Sequence, residues 1–310
     1  MTRIFIDGSA GTTGLRIRER LEARRDIELI LLPDELRKQP EARRDAIHAA
    51  DIAFLCLPDD AAREAVALAG DCGTAIIDTS TAHRVAPGWV YGMAELPGQR
   101  ARIAASKRVA NPGCHASGFI ALVAPLVQAG VIQRDAKLSC FSLTGYSGGG
   151  KKMIADYGAE GRSALLDAPR QYGLSQAHKH LPEMAAICGL DSAPVFSPIV
   201  ADFYSGMEVS VPLFGEWVDG GIARVRAVYA EAYPGPVIRY LESADEGGFL
   251  SAGALSGRDD MEVTVTGSDE RMVLTARFDN LGKGASGAAI QNMNILMGVD
   301  ETTGLILKEA

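Results

Sequence analysis

Residues 4–14 read Ile4-Phe5-Ile6-Asp7-Gly8-Ser9-Ala10-Gly11-Thr12-Thr13-Gly14, an apolar run that leads straight into a glycine-rich turn. The apolar run predicts a β-strand, and the amphipathic stretch 14–25 predicts a helix directly after the turn. At such a turn, backbone N–H groups and the helix dipole can hold a pyrophosphate, and glycines let the ligand come close. The spacing is G-x-x-G-x-x-G rather than G-x-G-x-x-G, so a tight turn without a ligand is the alternative interpretation.

The pattern continues beyond this unit as an alternation of strands and helices. Apolar runs at 27–32, 52–57 and 75–78 predict strands, and the stretches 41–49 and 59–69 predict helices. This alternation is typical of a Rossmann-type, doubly wound parallel sheet, in which ligands bind at the carboxyl ends of the strands. A dinucleotide is therefore the expected ligand of the loop Gly8–Gly14.

The segment after the second predicted strand bears on the choice between NAD and NADP. An acidic residue there would favour NAD through the ribose hydroxyl, but Pro33-Asp34-Glu35 is followed closely by Arg37 and Lys38, which would suit a 2′-phosphate. The residues alone leave both cofactors open.

The regular alternation of predicted strands and helices ends at about residue 112. A helix at 115–129 is followed by longer strands at 137–144, 195–200 and 207–212, and a hairpin is predicted for 261–266 and 272–279. We therefore expect a second, α+β domain with antiparallel pairing. The helix 286–297 carries apolar residues at helical spacing and is expected to pack on the first domain. The predicted domains are 1–113 with 285–310, for the dinucleotide, and 114–284, for catalysis and oligomerisation.

The composition excludes several classes of function. With 310 residues, 47% of them hydrophobic, the chain is long enough for two domains, and its net charge of −8 argues against a nucleic-acid or anionic-membrane partner. Five cysteines without C-x-x-C spacing suggest neither a disulfide framework nor a thiolate metal site. No apolar run reaches the roughly 20 residues that span a bilayer, so we expect neither a signal peptide nor a membrane segment. A soluble cytoplasmic enzyme is predicted.

Cys114 is the strongest candidate for a nucleophile. The segment Asn111-Pro112-Gly113-Cys114 ends an apolar run and enters the helix 115–129, so the sulfur is expected at a helix N-terminus. The positive end of the helix dipole stabilises a thiolate. A free cysteine is more often a small buried hydrophobe, and that is how we interpret the other four cysteines, at positions 56, 72, 140 and 188.

The segment His178-Lys179-His180-Leu181-Pro182-Glu183 supplies candidate proton-transfer groups. Two imidazoles precede a helix that Pro182 can start, and Glu183 can orient one of them. A zinc site lacks support because the H-E-x-x-H spacing is missing, and we predict no metal. An exposed loop is the alternative interpretation.

A second glycine-rich segment, Gly145-Tyr146-Ser147-Gly148-Gly149-Gly150-Lys151-Lys152, follows a predicted strand. It partly matches a hydrolase nucleophile elbow at Ser147, with Asp167 and either His178 or His180 to follow, and it partly matches a P-loop. Both interpretations share a concave run of backbone N–H groups beside Lys151 that would bind phosphate. A flexible surface loop is again the alternative.

Taken together, these motifs resemble the short form of the N-acetyl-gamma-glutamyl-phosphate reductase family, with aspartate-semialdehyde dehydrogenase and glyceraldehyde-phosphate dehydrogenase as more distant relatives. The motifs that carry the resemblance span nearly the whole chain: Ile4–Gly14, Asp78-Thr79-Ser80-Thr81, Asn111-Pro112-Gly113-Cys114, Ser147–Lys151, His178–Glu183, and Lys283-Gly284-Ala285-Ser286-Gly287 through Asn292-Met293-Asn294.

The resemblance implies roles for particular residues. Cys114 matches the family's active-site cysteine, and His180, preferred over His178, lies in its acid/base segment. The loop Gly8–Gly14 corresponds to the NADP pyrophosphate loop, and Ser80 and Asn292 lie in segments that line the nicotinamide pocket. The substrate or phosphate is assigned to Asn111, Ser147 and Lys151. His115 departs from the family, whose members often carry an aromatic residue there.

The resemblance also implies an activity: NADPH reduces N-acetyl-L-glutamyl 5-phosphate to the 5-semialdehyde and phosphate, through a thioester on Cys114, in a homodimer or homotetramer. Three alternatives remain from the residues themselves. They are the same chemistry on an aspartyl or aminoadipyl phosphate, a hydrolase built on Ser147, and a dinucleotide sensor without catalysis.

Overall fold

The computed structural model of the protein describes residues 1–308, which form two compact units. Unit 1 comprises Met1–Pro112 and Ala285–Leu305, and unit 2 comprises Gly113–Gly284 and residues 306–308. The sequence-based boundary placed 306–310 in the first domain, but Ile306 exchanges hydrogen bonds with Asp259 of unit 2: the Asp259 N–H donates to the Ile306 carbonyl and the Ile306 N–H donates to Asp259 Oδ2. Residues 309 and 310 lie outside the described residues.

The N-terminal part of unit 1 alternates strands and helices as predicted. Its elements are β1 (Thr2–Asp7), α1 (Thr12–Glu22), β2 (Ile27–Ile30), α2 (Pro40–Ala49), β3 (Ile52–Leu55), α3 (Asp59–Ala69), β4 (Ala75–Asp78), β5 (Val90–Tyr91), α4 (Gln99–Ala104) and β6 (Arg108–Ala110). The strands form one sheet in the order β2-β1-β3-β4-β6-β5, and every pair is parallel. The doubly wound fold is thereby confirmed.

The alternation of side chains along β1 explains why helices cover both faces of this sheet. Ile4 and Ile6 point into one apolar cluster, which also contains Ile17 of α1, whereas Phe5 points into the other with Ile47 of α2. A strand buried on both faces reads as a continuous apolar run, as residues 4–6 do. Full burial of each such side chain contributes about 1.5–3 kcal/mol to folding.

A buried ion pair fixes the carboxyl end of β1, directly before the glycine loop. Arg43 Nε donates to Asp7 Oδ2 at 2.9 Å and Arg43 Nη1 donates to Glu64 Oε2 at 2.6 Å, so one guanidinium links β1, α2 and α3. Burial raises the pKa of Asp7, and Arg43 opposes that rise. Removing one partner of such a buried pair costs about 3–5 kcal/mol of stability.

Unit 2 contains a seven-stranded mixed sheet with helices. Its elements are α5 (Cys114–Gln128), β7 (Ser139–Gly145), α6 (Gly150–Gly158), β8 (Arg170–Gln171), α7 (Leu181–Cys188), β9 (Val195–Ala201), β10 (Met207–Phe214), α8 (Gly221–Ala232), β11 (Ile238–Tyr240), β12 (Met261–Gly267) and β13 (Arg271–Phe278). The strand order is β11-β12-β13-β10-β7-β9-β8.

The predicted hairpin of β12 and β13 is present, but the pairing in unit 2 is not wholly antiparallel. The pairs β7–β9 and β11–β12 are parallel. Between β7 and β9 the chain passes through α6 and α7, and a parallel pair requires a crossover connection of this kind. Helices and a mixed sheet together confirm the α+β class.

Helix α5, which begins at Cys114, is buried along nearly its whole length. Gly118 lets it approach the sheet closely, because a Cβ at this position would lie 2.5 Å from Val209 of β10. Pro125 lies inside the helix and has no N–H to donate to the carbonyl of Ala121. The hydroxyl of Tyr233 donates to that carbonyl at 2.7 Å, so the buried acceptor is satisfied.

The chain returns to unit 1 through a π-helical turn, Gly282–Ser286, and then α9 (Gly287–Met297). Ile290 and Met293 of α9 join the apolar cluster that contains Ile4 and Ile77. The C-terminal helix therefore packs on the first domain, as the sequence predicts. Within residues 1–308, we find no helix with both the length and the apolar character needed to cross a bilayer.

Candidate active site

Cys114 is the first residue of α5 and follows the N-cap Gly113, so its sulfur lies where the helix dipole favours a thiolate. The side chain is half-buried. Gly284 packs against it, and a Cβ at that position would lie 3.0 Å from the Cys114 Cβ. By contrast, burial raises the pKa of the Cys56 thiol to about 12 and raises the pKa of Cys140 and Cys188 as well. Burial therefore keeps these three thiols protonated.

A buried carboxylate lies at the same helix entrance. The Gly113 N–H donates to Glu183 Oε2 at 3.2 Å, and Glu183 Oε1 lies 3.9 Å from His180 Nε2. Glu183 and His180 are both at least 95% buried. The second contact is too long for a hydrogen bond, yet the carboxylate is placed to stabilise positive charge on the His180 ring. The predicted partnership of Glu183 with a histidine thus has a geometric basis.

Three imidazoles cluster beside this carboxylate. The ring centroid of His180 lies 4.7 Å from that of His178 and 5.5 Å from that of His115, and Phe196 of β9 packs against His115 and His178. The His180 N–H donates to His178 Nδ1 at 3.2 Å. That bond occupies one ring nitrogen of His178 and orients its ring.

His115 is the third member of the cluster. Its Nδ1 lies 2.7 Å from Ser142 Oγ on β7, and its Nε2 lies 2.6 Å from the hydroxyl of Tyr172, which follows β8. Burial above all, with lesser contributions from His178 and Lys179, lowers the pKa of His115 to about 3. His115 is therefore neutral near pH 7, with one donor and one acceptor nitrogen. No motif in the sequence points to Ser142 or Tyr172.

The first part of the second glycine-rich segment is engaged with the neighbouring backbone and is not open to a phosphate. The N–H groups of residues 145–147 donate to backbone carbonyls of residues 203–206, and the chain forms a 3₁₀-helix, Tyr146–Gly149, before α6. Ser147 is buried, and its Oγ accepts a hydrogen bond from Asn280. Lys151 is exposed in the first turn of α6. A hydrolase nucleophile has to be accessible and activated by a base, so the geometry also contradicts the Ser147 hydrolase interpretation.

In unit 1 the first glycine loop has the shape of a dinucleotide-binding turn. Gly8 has φ +85°, and a Cβ there would lie 2.3 Å from the carbonyl oxygen of Cys56. Gly14 is equally constrained, because its Cβ would lie 2.4 Å from the Gly8 carbonyl oxygen. Helix α1 begins at Thr12, with Gly11 as N-cap, so Thr12, Thr13 and Gly14 form its first turn. A cavity of about 340 Å³ is lined by Gly8, Ser9 and Ala10 of this loop and by Arg37 and Lys38.

Asn292 of α9 provides a test of whether unit 1 suits a nicotinamide. Its Nδ2 donates to the Gly92 carbonyl at 2.9 Å and to Asn111 Oδ1 at 3.2 Å, whereas its buried Oδ1 has no hydrogen-bond partner among the described residues. A buried unsatisfied acceptor is costly unless a ligand completes it, and a carboxamide N–H would do so. The residues present therefore fit the cofactor.

Asn111 and Ser80 are held within unit 1. The Asn111 Nδ2 donates to the Ala285 carbonyl at 3.0 Å, and its Oδ1 is the acceptor for Asn292, so both side-chain atoms are engaged. The Ser80 hydroxyl donates to Asp78 Oδ2 at 2.8 Å, and His83 Nδ1 contacts the same oxygen. Across residues 1–308 there is no group of three His, Cys, Asp or Glu side chains arranged to hold a metal ion.

Segments of both units match family models built from known proteins. Residues 32–105 match the family model described as semialdehyde dehydrogenase, NAD binding domain, and residues 114–280 match the model described as semialdehyde dehydrogenase, dimerisation domain. The N-acetyl-gamma-glutamyl-phosphate reductases of Brucella ovis and Brucella melitensis are each 49% identical to the chain over 306 residues, which cover 96% of this chain and 99% of theirs.

Solved structures support the fold. Aspartate semialdehyde dehydrogenase II of Vibrio cholerae, complexed with ASA, superposes with a TM-score of 0.73 at 16% identity, covering 96% of this chain and 98% of that one. The Candida albicans enzyme with NADP gives a TM-score of 0.68 at 14% identity, with 96% and 99% coverage. The family resemblance drawn from the motifs is confirmed, and the chain belongs to the N-acetyl-gamma-glutamyl-phosphate reductase family, within the semialdehyde dehydrogenases.

Proposed function

We propose that the protein reduces N-acetyl-L-glutamyl 5-phosphate to N-acetyl-L-glutamate 5-semialdehyde and phosphate, with NADPH as reductant and Cys114 as nucleophile, in arginine biosynthesis. The observation that carries this proposal is the half-buried Cys114 at the N-terminus of α5, beside buried His180 and Glu183. The names of the 49% identical relatives support the choice of substrate.

The first half of the reaction is acyl transfer to sulfur. The Cys114 thiolate attacks the acyl carbon, and the carbonyl electrons move onto the carbonyl oxygen. When those electrons return, the bond between the acyl carbon and the bridging phosphate oxygen breaks. Phosphate leaves and a thioester remains on Cys114. N–H groups in the first turn of α5 have no acceptors within the helix and are aligned to stabilise the oxyanion.

The second half releases the aldehyde. NADPH, when bound, supplies the hydride that converts the thioester carbonyl into a tetrahedral alkoxide. Protonated His180 gives its proton to that alkoxide, and the neutral ring takes it back as the carbon–sulfur bond breaks and the Cys114 thiolate leaves. Glu183 stabilises the protonated form of His180.

We assign the cofactor to unit 1. The loop Gly8–Gly14 with the N-terminus of α1 would hold the pyrophosphate, and Asn292 Oδ1 would accept from the carboxamide. Arg37 and Lys38 line the same cavity as the loop and would meet the 2′-phosphate, which favours NADP over NAD. Ser80, whose hydroxyl is engaged with Asp78, would then act through its backbone or its packing.

The double substitution Arg37→Ala, Lys38→Ala tests that assignment. We expect the Kd for NADPH to rise about tenfold or more while the Kd for NADH stays nearly constant, because hydrogen bonds to charged groups contribute about 1.5–3 kcal/mol each. Nicotinamide fluorescence titration measures both constants. Arg44→Ala, on the exposed side of α2, is the matched control. Equal losses for both cofactors would disprove a 2′-phosphate contact.

The substrate is tested by phosphate-dependent reduction of NADP with a panel of semialdehydes. We expect N-acetylglutamate semialdehyde to give a higher kcat/KM than aspartate semialdehyde or aminoadipate semialdehyde. A preference for one of the latter two would change the substrate and keep the chemistry. NADPH binding without turnover of any semialdehyde would instead support the sensor interpretation.

We also propose that the protein forms homo-oligomers through the open face of the unit 2 sheet. Phe141, Phe214 and Val273 project from β7, β10 and β13 on one face, as the registers Phe141–Ser210 and Pro212–Val273 require, and each is at least 36% exposed. The match of residues 114–280 to a dimerisation domain supports this surface. None of the five cysteines within residues 1–308 forms a disulfide, which suits a reducing compartment, and we therefore propose the cytoplasm.

One charged variant tests the proposed oligomer surface through its effect on the mass of the assembly. Phe141→Glu places a carboxylate in the apolar patch, so we expect a shift to monomers in light scattering coupled to size-exclusion chromatography. Phe249→Glu is the control, since Phe249 is 77% exposed and lies outside the sheet. An unchanged mass for Phe141→Glu would argue against this face.

A further inference from the structure

The contacts of His115, the residue after the nucleophile, form a short chain of polar groups from Ser142 in the sheet to Tyr172. Ser142 Oγ contacts His115 Nδ1, and His115 Nε2 contacts the Tyr172 hydroxyl. The three side chains come from β7, α5 and the residue after β8. None of them is needed for the mechanism described above.

The direction of the hydrogen bonds follows from the burial of Ser142. Ser142 is completely buried, and among the described residues its hydroxyl contacts only His115. If Ser142 accepted from His115, its own proton would be buried without an acceptor, which costs about 1–3 kcal/mol. Ser142 therefore donates to Nδ1, and the neutral ring carries its proton on Nε2.

The tautomer of His115 in turn orients the hydroxyl of Tyr172. Because His115 Nε2–H donates to the Tyr172 oxygen, the Tyr172 proton points away from His115. Tyr172 is only half-buried, unlike Ser142, so its proton is open to water or to a ligand and the penalty that applies to Ser142 does not apply to it. Tyr172 contacts His115, the residue that follows Cys114 in the chain, and burial above all, with a smaller contribution from a negative charge on Cys114, raises the pKa of Tyr172. The hydroxyl thus remains protonated and available as a donor.

We propose that Tyr172 is a catalytic hydrogen-bond donor to the oxyanion that forms on the Cys114-bound carbonyl carbon, and that Ser142 and His115 are positioning residues that aim it. The proposal rests on the reductase function given above. No proton is transferred from Tyr172, so the acid/base role stays with His180. A pre-aligned donor of this kind stabilises the tetrahedral state without reorganisation during the reaction.

Nuclear magnetic resonance of ring-labelled histidine tests the chain of hydrogen bonds without reference to activity. The chain has only five histidines, and the signals of His115 are identified by their loss in His115→Phe. We expect a neutral Nε2–H ring for His115 that does not titrate between pH 5 and 8, in agreement with its pKa of about 3. An Nδ1–H tautomer, or titration within that range, would overturn the proposal.

Steady-state kinetics of the aldehyde oxidation test the catalytic consequence. We expect Tyr172→Phe to lower kcat about 10²-fold, as loss of one oxyanion donor does elsewhere, with little change in KM. His115→Phe and Ser142→Ala should lower kcat when Tyr172 is present but cause no further loss in a Tyr172→Phe background, because they act through its hydroxyl. Tyr204→Phe, at a 44% exposed tyrosine, is the control.

The two measurements separate the failure of this proposal from failure of the proposed function. If the wild-type protein reduces the cofactor but Tyr172→Phe keeps full kcat, Tyr172 is not the oxyanion donor. If His115→Phe or Ser142→Ala causes a further loss of kcat in the Tyr172→Phe background, these residues do not act through the Tyr172 hydroxyl. If wild type turns over no semialdehyde, the reductase function fails, and the His115 tautomer still decides whether the Ser142–His115–Tyr172 chain exists.

Discussion

Cys114→Ser is expected to lower kcat for phosphate-dependent aldehyde oxidation by at least about 10⁴-fold, with the Kd for NADPH unchanged. A serine hydroxyl at the start of α5 is far less acidic than a thiol, so the helix dipole alone does not convert it into a nucleophile. Cofactor binding is assigned to unit 1, which the substitution does not touch. Nicotinamide absorbance measures the first quantity and fluorescence titration the second.

Cys72→Ser is the matched control for that experiment, because Cys72 is another half-buried thiol and lies in unit 1 after α3. It should retain wild-type kcat. If Cys114→Ser kept a substantial fraction of the activity, no thioester would be required, and the mechanism would have to be abandoned while NADP binding could still stand.

The second large effect is expected for His180→Gln, which should lower kcat about 10²–10⁴-fold, the range typical for removal of a general acid–base. His180 is buried beside Glu183, so its ring is fixed relative to the carboxylate that stabilises its protonated form. Glutamine preserves much of the volume and hydrogen-bonding capacity but does not transfer protons. The pH dependence of kcat, followed at the nicotinamide absorbance, should lose the limb that depends on this group.

His178→Gln separates the two candidate histidines. The His178 Nδ1 accepts from a backbone N–H, and the ring is half-buried, which indicates a role in holding the segment rather than in proton transfer. We expect a smaller loss of kcat for His178→Gln, with the pH profile retained. A larger loss at His178 than at His180 would reverse the assignment.

The part of the architecture that depends on short-range patterns was predictable from the sequence. The apolar run before Gly8 gave β1, and the turn Pro112-Gly113 before a long apolar stretch gave the start of α5 and hence the position of Cys114. Both follow from periodicity and helix-start signals within about ten residues. The return of α9 to unit 1 was also predictable, because Ile290 and Met293 share one helix face.

Features that depend on distant pairings were not predictable. Residues 145–152 resemble a ligand loop locally, but the N–H groups of residues 145–147 are taken up by carbonyls more than fifty residues away. Likewise, the contact between Tyr172 and His115 depends on two strand pairings. Strand β8, which precedes Tyr172, pairs with β9, and β9 pairs in parallel with β7, which carries Ser142. A single sequence does not encode these registers in any local pattern, so the contacts of His115 became visible only in the fold.

The central claim is that an acyl group is carried on Cys114, and intact-protein mass spectrometry tests it most directly. The wild-type protein is mixed with N-acetylglutamate semialdehyde and NADP in the absence of phosphate, so that the thioester forms and its phosphorolysis is blocked. The account predicts one N-acetylglutamyl group per chain, located on the peptide that contains Cys114, removed by added phosphate and absent from Cys114→Ser. NADP reduction under these conditions without any covalent adduct, or an adduct that persists in Cys114→Ser, would contradict it.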